Sequence, residues 1–151
     1  MDVKTALIML AASVFGTLGF SFIFRTKKSH VLLTTIAGTL ACTIYIVCCY
    51  FFKHEFFQNL FPALFAAAFA EVLARITKST ATAYSACTIV VLIPGAKLYY
   101  TMYYIIVGNI EAFRTAGIEL LRIASGIAVG IVLVTVIVRE FNRRRFDITN
   151  K

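Results

Sequence analysis

Long apolar runs, each ended by a few charged or turn-forming residues, set the rhythm of the chain. A helix rises about 1.5 Å per residue, so about 20 apolar residues cross the hydrocarbon core of a bilayer. Five segments meet that need: residues 4–24, 31–52, 57–77, 81–108 and 116–138, followed by a basic stretch, 139–151. The fourth is longer than one straight crossing requires, and Pro94-Gly95 cuts it near its middle. Proline removes a helical N–H and clashes with the preceding turn, and glycine adds backbone freedom, so a helix entering at Ala81 is expected to break or kink there. Non-helical backbone at membrane depth is tolerated only within protein or beside a water-lined cavity, so the break predicts an interior position and a binding site. The expected fold is an all-α integral membrane protein, a bundle of five transmembrane helices with the fourth interrupted at Pro94-Gly95. Residues 1–138 form one membrane domain and 139–151 a basic cytoplasmic tail.

Composition supports this and narrows the chemistry. With 60% hydrophobic and 15% charged residues in 151, and a mean hydropathy of +0.87, the chain is too apolar for a soluble domain of its size. Its first apolar stretch lacks a strong basic leader and runs into Arg25 and lysines, so it reads as a membrane helix rather than a cleavable signal. The net charge of +8 does not point to nucleic acid, because the basic residues gather at segment ends. Arg25, Lys27 and Lys28, then Arg75 and Lys78, then Arg139, Arg143, Arg144, Arg145 and Lys151 fall on alternate connections, whereas 53–56 and 109–115 hold one Lys or Arg each. Cytoplasmic loops retain such charge, so the N-terminus is expected outside and the C-terminus in the cytoplasm, in a cell membrane crossed several times. The arginine cluster at 143–145 reads as an orientation signal, with anionic-lipid contact as the second reading.

No enzyme motif, nucleotide-binding loop or zinc-type spacing is present, and no cofactor or metal is expected. Cys42, Cys48, Cys49 and Cys87 sit in apolar segments as small packing residues, and His30 and His54 fall in short polar loops. In the third segment Phe61, Phe65, Phe69 and Val72 form one helical stripe, while Ala63, Ala67, Ala70 and Ala74 form the opposite one, expected as a close interhelical contact. Pro62 lies near the segment's start, where proline is tolerated. Glu71 beside the alanine face is either a proton relay or cation partner, or the i, i+4 partner of Arg75 near the cytoplasmic interface. Beyond the break, a half-helix from about Ala96 would aim free N–H groups at a substrate carboxylate, with Lys97 adding a full charge. The other reading of Lys97 is a side chain reaching a membrane interface. Tyr99, Tyr100, Tyr103 and Tyr104 either line a path or form an interfacial aromatic belt. Gly126 and Gly130 form a GxxxG that favours close packing within this chain or against another. Glu119 and Arg122, at i and i+3, read as an ion pair near a helix end.

Ala70-Glu71-Val-Leu-Ala74-Arg75, a short basic loop, and then Leu92-Ile93-Pro94-Gly95-Ala-Lys-Leu-Tyr99-Tyr-Thr-Met102 together resemble the small-subunit membrane domain of the threonine/serine exporter family. Gly19-Phe20 before the first basic loop and Gly38 in the second segment are similar to that family's opening. The likeness covers nearly the whole chain, and Pro-Gly-x-x-x-Tyr-x-x-Met is its most specific part. The resemblance implies a five-helix domain that is fused to an amino-terminal membrane domain in some members and pairs with a separate larger membrane subunit in others. It implies export of threonine and serine, with dicarboxylate export in a split member. The matching residues are Pro94, Gly95, Tyr99 and Met102, with Glu71 and Arg75 before them. Val91 and Thr80 stand where relatives often carry proline, and Lys97 falls at a variable position.

The expected function is therefore a membrane subunit of a two-component secondary exporter of small amino acids or organic acids, driven by an ion or proton gradient. Pro94, Gly95, Lys97, Tyr99, Tyr100, Met102, Glu71 and Arg75 are its candidate path residues. Two rivals are a non-transporting scaffold for the larger subunit and a self-assembled homo-oligomeric channel.

Overall fold

The computed structural model describes residues 3–24, 26, 28–77 and 80–149, and its described residues form helices joined by short turns. Arg25, Lys27, Lys78 and Lys151, four of the basic residues used to orient the chain, lie outside the described residues. The helices are α1 (Val3–Ile23), α2 (Lys28–Phe51), α3 (Glu55–Thr77), α4 (Ala81–Ile89), α5 (Gly95–Ile106) and α6 (Ile110–Thr149), with a single 3-10 turn, Val90–Leu92, after α4. α1, α2, α3 and α6 are each long and apolar enough to cross a membrane, and α4 with α5 supplies a fifth span bent by 62° at the break. The chain is thus an all-α membrane bundle with its fourth span interrupted at Pro94-Gly95.

Several segment ends differ from the sequence expectation, each for a local reason. α3 starts at Glu55, so the α2–α3 connection shrinks and Pro62 lies inside the helix rather than near its start. Pro62 has no N–H to give the Gln58 carbonyl one turn back. His30 belongs to the first turn of α2, not to a loop. α6 begins at Ile110 and continues unbroken past Val138, so much of the basic tail is helix: hydropathy ends there, but Arg and Glu are good helix formers.

The helices pack through small residues. The buried residues of α1 are Ser13, Thr17 and Ser21, one turn apart on a single face. Ser21 Oγ lies 3.1 Å from Thr34 Oγ1 on α2, and Thr17 packs on Gly38, where a Cβ would collide with the threonine side chain. On α3, Ala63, Ala66, Ala67, Ala70 and Ala74 are buried, while Phe61 and Val72 are exposed. The GxxxG of α6 meets this alanine face within the chain. A Cβ on Gly126 would stand 2.5 Å from the Phe56 carbonyl oxygen, and one on Gly130 2.8 Å from Ala63 Cβ.

These contacts also fix direction. Gly126 meets Phe56, Gly130 meets Leu60 and Ala63, and Ile137, Val138 and Phe141 share a cleft with Ala68, Val72 and Arg75. Numbers rise together on both helices, so α3 and α6 run parallel. The first sixteen residues of α6, 110–125, therefore reach about 24 Å past the start of α3. α5 packs back along this extension, with Thr101 against Gly117. The turn between them is closed by the Gly108 N–H to the Ile105 carbonyl at 3.2 Å and the Asn109 N–H to the Tyr104 carbonyl at 3.0 Å. Gly108 takes φ +77°, the left-handed conformation this helix ending needs, and Asn109 Oδ1 accepts the Ala112 N–H to start α6.

Candidate functional site

The break is built residue by residue. Proline excludes helical backbone from the residue before it, and Ile93 is extended at φ −64°, ψ 124°. Pro94 at φ −77°, ψ 63° makes an inverse γ-turn, closed by the Gly95 N–H donating to the Ile93 carbonyl at 2.8 Å. α5 then starts, its first backbone bond running from the Leu98 N–H to the Pro94 carbonyl at 2.9 Å. The Ala96 and Lys97 N–H groups, in the first turn of α5, have no intrahelical acceptor. Gly95 does not supply the turn's freedom as expected, because its φ is not left-handed. It supplies space: a Cβ there would meet nothing within 4 Å, and the residue lines a cavity.

That cavity, about 270 Å³, lies under the break. α2 contributes Cys42 and Tyr45, α3 contributes Glu55, Gln58 and Asn59, and residues 91–97 form one wall. Asn59 is buried, donating from Nδ2 to the Glu55 carbonyl at 2.8 Å. Lys97 Nζ donates to Glu55 Oε1 at 3.0 Å and to Glu119 Oε2, so one ammonium bridges carboxylates from α3 and α6. Two carboxylates against one ammonium leave one negative charge. Glu55 Oε2 is buried with no hydrogen-bond partner, the more costly state for a carboxylate oxygen. Among the described residues no three His, Cys, Asp or Glu side chains gather as metal ligands.

The structure brings together only part of the sequence-derived set. Pro94, Gly95 and Lys97 line the cavity. Tyr99, Tyr100 and Met102 do not: each is exposed on α5, whose buried residue is Thr101. Tyr99 and Tyr100 pack on each other edge to face, ring centroids 5.5 Å apart, on that outward side. Glu71 and Arg75 sit together in a second, apolar cleft between α3 and α6, beside Val72 and Val138. Glu71 is sixteen residues beyond Glu55 on α3, about 24 Å along the helix, so these two places are separate. Arg75 is twenty residues from Glu55, about 30 Å along the helix, so the Lys97 cluster and Arg75 lie toward opposite ends of α3.

The expected Glu119–Arg122 pair gives way to Glu119–Lys97, because α5 folds back along α6 and presents Lys97 to it. Glu55, Tyr45 and Asn59 were not signalled by any motif. The available signal was one of charge: Glu55, Lys97 and Glu119 each border or interrupt an apolar segment, and such charges in membranes pair with one another.

The sequence profile described as Threonine/Serine exporter, ThrE matches residues 9–137, which includes the break, Lys97 and both of its carboxylate partners. No curated protein and no solved structure matches the chain.

Proposed function

Because this chain belongs to the threonine/serine exporter family, a family of transporters and not of enzymes, we propose that it is one membrane subunit of a two-component secondary exporter and that the cavity under the break holds the transported amino acid. One observation carries the reading: the cavity is walled by the first turn of α5, whose Ala96 and Lys97 N–H groups have no intrahelical acceptor, and by Glu55 on α3, part of a cluster in which two carboxylates face one ammonium. A zwitterion needs both. Its carboxylate suits a helix N-terminus and its ammonium suits a cluster with one negative charge to spare. The volume lies just below the roughly 300–1,000 Å³ of drug-sized sites, in keeping with a small solute. A dicarboxylate such as succinate suits it less, because its two negative charges would face Glu55 and Glu119 with one ammonium between them.

Transport in this reading is driven by an ion or proton gradient, since the sequence carries no nucleotide-binding motif. Alternating access turns on the bent α4–α5 span. The larger membrane subunit covers the outward face of α5, where Tyr99, Tyr100 and Met102 stand. With the N-terminus outside and the C-terminus in the cytoplasm, the cavity faces the outer side of the cell membrane, and Arg75, Arg139 and Arg143 mark the inner one.

The test is efflux of threonine, serine and succinate from loaded cells that express this chain alone, or with a larger family-type subunit. Threonine and serine flux is expected only from the pair, and is expected to fall in the pair carrying Glu55→Gln. Flux from the lone chain would replace the partner with a homo-oligomer, and undiminished flux with Glu55→Gln would remove the cavity from the path.

A further inference from the structure

The Lys97 ammonium fills a position that a second positive charge on a substrate would otherwise take. It lies between Glu55 and Glu119, half-exposed at the cavity, and reaches them from the third residue of α5 by a flexible four-carbon stem. We propose that Lys97 is a specificity-determining residue, a tethered cation that bars cationic amino acids from the cavity and keeps it for zwitterions. The proposal rests on the amino-acid reading above and adds to it the exclusion of one charge class.

The charge arithmetic gives the direction. With Lys97 in place the cluster carries one net negative charge, which answers one ammonium, the α-amino group of a zwitterion. A lysine or ornithine substrate brings a further ammonium whose natural seat, between the two carboxylates, is already filled. Truncating Lys97 to alanine empties that seat, raises the net negative charge to two, and leaves a channel the length of the missing Cγ, Cδ, Cε and Nζ. The vacancy matches n-propylammonium atom for atom, and it matches the outer part of a lysine side chain.

Two readouts test this. Thermal unfolding of the purified Lys97→Ala protein in detergent is followed with n-propylammonium, with tetramethylammonium as a cation too broad for the seat, and with sodium for ionic strength. A rise in melting temperature is expected with n-propylammonium alone and in the variant alone. No rise, or an equal rise in the unaltered protein, overturns the replaceable cation. Should Lys97→Ala not fold, Lys97→Ala combined with Glu119→Gln restores the net charge to one and takes its place. In loaded cells with the partner subunit, the variant is expected to export lysine at least about tenfold faster than the unaltered pair, the gain expected from one charge-assisted hydrogen bond. Stabilisation by n-propylammonium without lysine flux, while threonine still leaves the cell, overturns the selectivity role alone. Stabilisation with threonine flux unaffected by Lys97→Ala and by Glu55→Gln overturns the cavity as the export site.

Discussion

Glu55 and Lys97, forty-two residues apart in sequence, meet at 3.0 Å across the cavity, and the ammonium continues to Glu119 on α6. Three helices are thereby tied at the point where the fourth span breaks. The two carboxylates are not equivalent. Glu55 is the less exposed, 24% against 36%, and it alone keeps a buried oxygen without a partner.

Glu55→Gln should therefore cost more than Glu119→Gln. Efflux of threonine by the paired subunits is expected to fall about tenfold or more with Glu55→Gln, as for loss of a charged hydrogen bond of ~1.5–3 kcal/mol, and by less with Glu119→Gln. Equal losses would mean that the unpartnered oxygen has no part in recognition.

Pro94→Ala restores an N–H and lifts the restriction on Ile93, so α4 and α5 are free to approach one continuous helix. Spin labels at Thr82 and Ile106, both exposed, should then report a longer distance as the 62° bend relaxes. Threonine efflux is expected to fall with it. An unchanged distance would assign the bend to packing on α6 instead of to proline.

Gly126→Ala forces a Cβ to within 2.5 Å of the Phe56 carbonyl oxygen, so α3 and α6 must separate. A loss of about 1–3 kcal/mol is expected, seen as a lower melting temperature in detergent. Gly16→Ala and Gly19→Ala, where a Cβ meets nothing within 4 Å, should leave it unchanged or raise it, because alanine favours helix. Were all three equally harmless, the α3–α6 contact would be looser than described.

Gly38→Ala sets a Cβ against the Thr17 side chain. Shortening the opponent should relieve it: Gly38→Ala is expected to destabilise, and Thr17→Ser added to it to recover most of the loss. A double-mutant cycle with no coupling between the two would argue against this register of α1 on α2.

Much of this was legible in the sequence because a bilayer demands long apolar runs and a proline inside one has few outcomes. The five segments and the break at Pro94 are signals of that kind. The partners of Lys97 were not legible, since Glu55 and Glu119 lie forty-two and twenty-two residues away and no helical period links them. Glu119 was instead assigned to Arg122, the nearest opposite charge in sequence, and folding placed a better one beside it. The tyrosines of α5 were left open for another reason. Aromatic rings suit a path, a belt or a lipid face equally, and only the burial of Thr101 fixes which side of α5 turns inward. The continuation of α6 beyond Val138 was missed because hydropathy marks where lipid ends, not where a helix does.

The parallel course of α3 and α6 decides a question of parity. Two helices that point the same way through a bilayer must be separated by a segment that carries the chain back across it, and between Thr77 and Ile110 only α4 and α5 are available. A hairpin that dipped in and returned to its own side would have left α6 antiparallel to α3. The bent pair is therefore a full return passage between them, and α3 and α6 run through the bundle in the same direction.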